Sequence, residues 1–276
     1  MIDNSKDGLL TIIIPCYNIK PHLTNLQKII NDANALGVMT ILVDDHSTDG
    51  AIEELKQIPS NSTVEFYKTS SNMGPGAARN VGISNTKTKY LWFVDVDDRP
   101  TLRVVVNQLS SLVDNFDVLR FKAQYKSKSN VIVEQTQDLD LTLLHPNKLI
   151  GKAPEVWRYI ISIKFLRHQQ IFFPEFRWHE DRLFMLRVIT NQPHMLESKA
   201  TNYLYSGTNV SKRKLPANDF EQFIKELIQM LKTSENGQSK ILLTVLLFSQ
   251  ILKSIRYLKF RDWFVSTWRA QISWIR

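Results

Sequence analysis

A single cysteine, Cys16, stands in 276 residues. That excludes a disulfide framework and any zinc site built from several thiolates, and it fits a reducing compartment. Long hydrophobic runs are missing as well. The longest, Ile241 to Leu252, is interrupted by Ser249 and Gln250 and stopped by Lys253, whereas a bilayer span needs roughly 20 apolar residues. The first seven residues, Met1 to Asp7, are polar and acidic where a secretory leader would be basic and then apolar. A cytoplasmic location is expected. Internal repeats and low-complexity segments are absent. Acidic residues are in deficit, 27 against 35 Lys and Arg, leaving a net charge of +8. Such an excess asks for an anionic partner: phosphate, nucleic acid or lipid head groups.

What is present is enough apolar side chain, 43%, for a sizeable core. The length suits one large domain, or a domain with an extension, since single cores stop growing near about 250–300 residues. The first third alternates. Leu10 to Ile14, Met39 to Val43, Val64 to Tyr67 and Tyr90 to Val94 read as strands. Between them lie helical stretches at Leu23 to Leu36, after Ser47-Thr48-Asp49, and from Gly74-Pro75-Gly76. This β-α-β-α-β-α-β order predicts an α/β fold with a mostly parallel sheet and helices on both faces. In such sheets the ligand crevice lies outside the carboxyl ends of the strands. Polar clusters follow the strands there: Cys16-Tyr17-Asn18, Asp44-Asp45 and Asp95-Val96-Asp97-Asp98. Further on, Val118 to Gln137 reads as two strands around a Lys/Ser turn, Leu183 to Ile189 as a helix, and Tyr203 to Tyr205 as a short strand. Two helical stretches follow Pro216, Asp219 to Lys232 and Ser239 onward.

Carboxylates as dense as those of Asp95 to Asp98 repel one another, so a cation or a set of donors must compensate. Mg²⁺ or Mn²⁺ takes one or two carboxylates plus phosphate oxygens and water. A metal bridging Asp97 to a diphosphate is one reading; a solvated turn with capping aspartates is the other. The glycines and alanines of Asn72 to Asn80 admit either a nucleotide against the backbone or ordinary helix–strand packing, and Arg79 could reach a base or phosphate. The stretch is neither a P-loop nor G-x-G-x-x-G.

Taken together, Ile14-Pro15-Cys16-Tyr17-Asn18, Val43 to Gly50, Asn72 to Asn80 and Phe93 to Asp98 resemble, in order and spacing, glycosyltransferase family 2. The resemblance covers roughly residues 9 to 212 and implies the GT-A fold. It places Pro15, Tyr17, Asn18 and Asp45 at the base end of a nucleotide-sugar, Asn72 and Arg79 along the nucleotide, Asp95 at ribose or sugar, and Asp97 on Mn²⁺ or Mg²⁺. Trp157-Arg158-Tyr159, Phe173-Pro174-Glu175 and Trp178-His179-Glu180-Asp181 look like the family's acceptor side. There the resemblance implies that Asp181 is the catalytic base, with Trp178, His179 and Glu180 beside the acceptor. For Glu180-Asp181 the residues alone also allow a helix N-terminus that favours negative charge. Lys212 falls in what resembles the closing segment over the diphosphate; a solvated basic loop fits it too. The resemblance implies transfer with inversion; single-sugar transfer is expected because the processive members carry Q-x-x-R-W and membrane helices, whereas this chain has Arg177-Trp178 without that glutamine spacing and has no span. Val96 departs from the small polar residue common between the two aspartates.

The expected organisation is a domain over 1–215, its donor half 9–100 and acceptor half 101–215, then a basic, Trp-rich helical extension over 216–276. From Ser239 to Arg276 seven Lys or Arg face one acid, Asp262, which is +6 of the net charge. Trp263, Trp268 and Trp274 crowd the same end. Basic residues with interfacial aromatics suit an anionic membrane surface, which a lipid-linked saccharide acceptor would give a purpose. Packing on the catalytic domain or homo-oligomerisation are the alternatives. Nucleic acid is not an expected partner, because the charge sits in the tail and the crevice is acidic. A catalytically inactive binder of nucleotide-sugars is the rival function.

Overall fold

The computed structural model describes residues 8–57, 63–112, 115–125, 140–150, 155–177, 179–205 and 217–257. In chain order these form β1 (Leu10–Cys16), α1 (Leu23–Ala35), β2 (Met39–Asp44), α2 (Ala51–Gln57), β3 (Val64–Lys68), α3 (Pro75–Asn85), β4 (Tyr90–Phe93), β5 (Arg99–Pro100) and α4 (Leu102–Ser111). Then come β6 (Val118–Tyr125), β7 (Leu141–Leu143), β8 (Tyr159–Ser162), α5 (Ile163–His168), α6 (Glu180–Thr190), β9 (Met195–Tyr205), α7 (Ala217–Thr233) and α8 (Gly237–Tyr257). The sheet order is β3-β2-β1-β4-β8-β6-β9-β5, with β7 on β9. The first four strands are parallel. Beyond β4 the sheet is mixed: β8 runs antiparallel to β4 and β6, while β6 and β9 are parallel.

Side chains alternate across the sheet with the strand period of two. Ile13, Ile41, Val43, Leu91 and Phe93 face one core, shared with α3, α5, α6, α7 and α8. Ile12, Ile14, Leu42, Tyr90 and Trp92 face the other, closed by α1, α2 and α4. Burial on both faces explains why these strands are continuous β-branched runs.

Strand β1 continues through Pro15 to Cys16. Its ladder with β4 stops at Ile13, whereas that with β2 runs on to Cys16. The Ile13 carbonyl accepts from Val94 on the β4 side, so Pro15, two residues on, turns its missing N–H to a side with no ladder partner.

The small residues of α3 serve packing. A side chain at Gly82 would put its first carbon 2.3 Å from Ile13 Cγ2, so the helix lies on β1 at a separation that a side chain would prevent. Strand β9 is far longer than the three residues its sequence suggests. Its polar positions are buried and bonded: Ser198 Oγ lies 2.8 Å from Gln108 Oε1 and Asn202 Nδ2 donates to the Trp157 carbonyl at 3.3 Å. These hide the apolar alternation. In the Val118 to Gln137 region β6 matches the first expected strand; the second lies outside the described residues.

Helix α7 packs Phe220, Phe223, Ile224 and Leu227 into the core beneath α6, and α8 adds Leu243, Leu246 and Leu247. The opposite face of α8 carries Ile241, Val245 and Phe248, 62–67% exposed. Among the described residues no helix is long and apolar enough to cross a membrane.

Candidate active site

β1 sits between β2 and β4, so the chain direction of assembly reverses there, and the loops after β1, β2, β3 and β4 meet at one end of the sheet. The first two are bonded to each other. Asn18 N donates to Ser47 Oγ at 3.0 Å, and Thr48 N donates to Asn18 Oδ1 at 2.9 Å. Asn18 and His46 adopt left-handed backbone (φ 50° and 62°) to make this corner, which Asn tolerates better than most residues. Pro15 leads into it, and Tyr17 stands over it with 53% of its surface exposed.

Asp45 is buried, and its carboxylate is committed to the loop after β3. It accepts from Thr69 Oγ1 at 2.9 Å, Met73 N at 2.8 Å and Gly74 N at 2.7 Å. Asn72 in that loop is clasped through its carbonyl and side-chain oxygens by Arg177.

Arg79 is the hub. Only 6% of its side chain is exposed. Nη2 meets Asp95 Oδ1 at 2.9 Å and Nη1 meets Glu180 Oε1 at 3.4 Å. Its guanidinium lies 5.4 Å from the centre of the Phe173 ring, which is stacked on Phe184 at 4.0 Å. Asn80 fixes Phe173 from both sides, donating to its carbonyl at 3.0 Å and accepting from its N–H at 2.8 Å. Burial pulls the Arg79 guanidinium toward neutrality, and Asp95, Glu180 and Asp181 more than offset that. The arginine therefore joins the turn after β4 to the first turn of α6.

Glu180 and Asp181 open α6 from His179, which is left-handed at φ 55°. Burial pushes the Glu180 carboxyl from 4.5 up to about 7, against the pull of Arg79 and with help from the Asp181 charge. Burial raises Asp181 as well, again opposed by Arg79. Asp181 Oδ1 accepts the backbone N–H of Arg182 at 2.7 Å. A carboxylate raised in this way is a better proton acceptor than a solvated one. Gly76 is what lets Glu180 come so close: a side chain there would lie 3.1 Å from Glu180 Cγ. The His179 ring leans toward Phe223 of α7, 6.1 Å between centres.

The acidic turn is held by its neighbours. Asn25 Nδ2 donates to the Val96 and Asp98 carbonyls, each at 2.9 Å. The Tyr203 hydroxyl accepts from Asp95 N at 2.9 Å and bonds the Asp98 carboxylate. Asp95 is engaged by Arg79 and Asp98 by Tyr203, and the half-buried Asp97 lies between them in the turn. Among the described residues no group of three or more His, Cys, Asp and Glu forms a metal cage. One carboxylate with phosphate oxygens completing the shell is the donor set that Mg²⁺ and Mn²⁺ favour, so the residues fit such an ion.

Residues 11–171 match the sequence profile of Glycosyl transferase family 2. The chain belongs to that family. An uncharacterized glycosyltransferase of Haemophilus influenzae is 28% identical to it over 251 residues, which are 87% of this chain and 95% of the relative. The poly(ribitol-phosphate) beta-glucosyltransferase of Bacillus spizizenii is 24% identical over 84% of this chain, which spans 38% of that relative's length. S. aureus TarS 1-349, solved in complex with UDP-GlcNAc, superposes with a TM-score of 0.74 at 19% identity, covering 94% of this chain and 79% of that one. The fold is that of the GT-A transferases.

Of the site residues that the family resemblance implies, Pro15, Tyr17, Asn18 and Asp45 gather at the β1 and β2 ends, while Arg79 brings Asp95 to Glu180 and Asp181. Asn72 lies at the rim, on Arg177. Trp178 and Lys212 lie outside the described residues. The contacts of Asn25, Arg177 and Tyr203 are additions that sequence patterning does not show. A groove of about 750 Å³ between α6 and α7, lined by Arg187, Gln192, Glu226 and Met230 among others, holds none of the expected site residues.

Proposed function

We propose that this family 2 transferase moves one sugar, with inversion, from a UDP-sugar to a hydroxyl of a saccharide acceptor. The observation that carries the reading is the Arg79 bridge: it joins Asp95, on the expected donor side, to Glu180 beside Asp181. UDP is favoured because the TarS structure holds UDP-GlcNAc, and the exposed Tyr17 ring offers a face to a base. Asp181 takes the proton of the acceptor hydroxyl as its oxygen attacks the anomeric carbon. Partial burial raises the affinity of this carboxylate for the proton, and the Arg79 charge opposes that rise. Glu180 shares the Arg79 charge and orients that arginine. Asp97 holds a divalent cation, which when bound supplies Lewis-acid neutralisation of charge on the departing diphosphate.

The acceptor belongs to a cell-surface polysaccharide or lipid-linked glycan, and α8 brings the enzyme to the membrane that carries it. Two features support this: the exposed Ile241, Val245 and Phe248 stripe beside exposed Lys240, and the +6 charge from Ser239 onward. Such a helix suits an anionic lipid surface.

Isothermal titration of UDP, with Mn²⁺ and with chelator, tests the donor half, and UDP release from a panel of UDP-sugars tests turnover. Metal-linked UDP binding in wild type, lost in Asp97→Ala, is expected. Absence of UDP binding in every condition would overturn the transferase reading. Binding without turnover on any donor and acceptor would favour a catalytically inactive nucleotide-sugar binder.

A further inference from the structure

We infer that Tyr203, assisted by Asn25, is a positioning residue that fixes the cation-binding turn from beneath. This rests on the donor-site reading above.

Strand β4 ends at Phe93, and the turn that follows carries three carboxylates within four residues. Left alone, such a turn would spread by charge repulsion. Its own backbone supplies one weak constraint, Asp98 N to the Asp95 carbonyl at 3.2 Å. The rest comes from distant segments. Asn25 in α1 holds two carbonyls of the turn. Tyr203 lies 108 residues away in sequence and sits at the other flank.

A phenol has one proton and can donate once. Because Asp95 N–H points into the Tyr203 oxygen, that proton goes to Asp98. The hydroxyl thus orders the turn in a defined sense, backbone donor on one side and carboxylate acceptor on the other. Burial, with the Asp95 and Asp98 charges, holds the phenol well above its usual range, so it keeps its proton at working pH.

The ring cannot swing away. It is stacked on Trp157, 4.5 Å between centres and 16° between planes, with Trp92 edge-on at 6.0 Å. Trp92 Nε1 in turn donates to the Trp157 carbonyl at 2.7 Å. The strand that carries Tyr203 also grips the turn's exit: β5 pairs Arg99 with Leu204 and Pro100 with Tyr203, and Thr101 N donates to the Asn202 carbonyl at 2.8 Å. Tyr203 is fully buried and has no surface to offer a substrate. Its effect must pass through the turn. Asp97 stands between Val96, whose carbonyl is held, and Asp98, held at both its carbonyl and its carboxylate, so its backbone position is set by these bonds.

Tyr203→Phe keeps the ring and removes both hydroxyl bonds. The test is titration of UDP with chelator and with Mn²⁺ on wild type, Tyr203→Phe and Asn25→Ala. Leu109→Ala, a core truncation in α4, serves as a stability control. Expected is a loss of about tenfold in UDP affinity with Mn²⁺, the scale of one charge-assisted hydrogen bond, and a change below about twofold in chelator. Asn25→Ala should move in the same direction and carries the test if Tyr203→Phe fails to fold. Leu109→Ala should lower the melting temperature and leave the Mn²⁺-dependent gain intact. Equal affinities for wild type and both variants with Mn²⁺, or equal losses with and without it, would overturn the inference alone. A wild type with no Mn²⁺-dependent gain would overturn the donor-site reading and this inference with it.

Discussion

The loops at the ends of β2 and β4 and the first turn of α6 treat their carboxylates in opposite ways. Asp45 and Asp98 are buried but answered by neutral donors: backbone N–H groups, a threonine and a tyrosine. They are structural charges, used to hold loops in place. Glu180 and Asp181 are half-buried with less help, Glu180 paired to the arginine that Asp95 also engages and Asp181 within its field, and desolvation raises their proton affinities. Burial with donors makes a rigid anion; burial without enough of them makes a base.

The sharpest way to break that contrast is Asp181→Asn. Turnover should fall by about a hundred- to ten-thousandfold, the usual contribution of a general base, while titration calorimetry should find UDP binding unchanged. A matching loss of UDP affinity would make Asp181 a donor-side residue. Next in size is Gly82→Ala. With Ile13 in the way, overpacking should destabilise the protein by about 1–3 kcal/mol, read by denaturant unfolding, because α3 cannot leave β1 without moving Arg79.

Glu180→Gln sharpens the electrostatic half of the comparison. The Glu180 carboxyl sits near 7 in the folded chain against an ordinary 4.5. As pH rises the unfolded chain gives up this proton first, so folding stability falls from about pH 4.5 to 7 and then levels. Subtracting the Gln variant's stability profile from the wild type's should isolate a fall on the order of 1–3 kcal/mol over that window. A flat difference would mean that Arg79 compensates the buried charge fully. Smallest is Arg177→Ala, which frees Asn72 on an exposed rim. A change of melting temperature within about 1–2 °C and a UDP affinity within a few-fold are expected, since exposed pairs contribute little.

The donor half was largely legible in the sequence because its strands are buried on both faces and each ends in a polar cluster. β-branched runs such as Ile12-Ile13-Ile14 leave little ambiguity, and Leu23, Met39 and Val64 begin their elements where patterning puts them. The second half was less so. β9 hides its period behind Ser198 and Asn202, whose side chains find partners only once the sheet is assembled. The same limit applies to Arg79. Its sequence neighbourhood suggests a ligand contact, but its partners Asp95 and Glu180 are 16 and 101 residues away, and local pattern carries no trace of them. Asn25 is equally silent: an asparagine on a helix has no signature that predicts two carbonyls over seventy residues on.

The 108-residue span between Asp95 and Tyr203 also has a meaning for synthesis. Translation proceeds at about 5–20 residues per second, so for several seconds the emerging chain holds β1 to β4 without β9. During that interval the parallel half can pair and bury its strands, but the three carboxylates after β4 have neither the tyrosine nor the strand β9 that grips the turn's exit. The nascent protein therefore matures from scaffold to site, and a fragment ended before residue 195 should collapse around its sheet yet never finish the turn after β4.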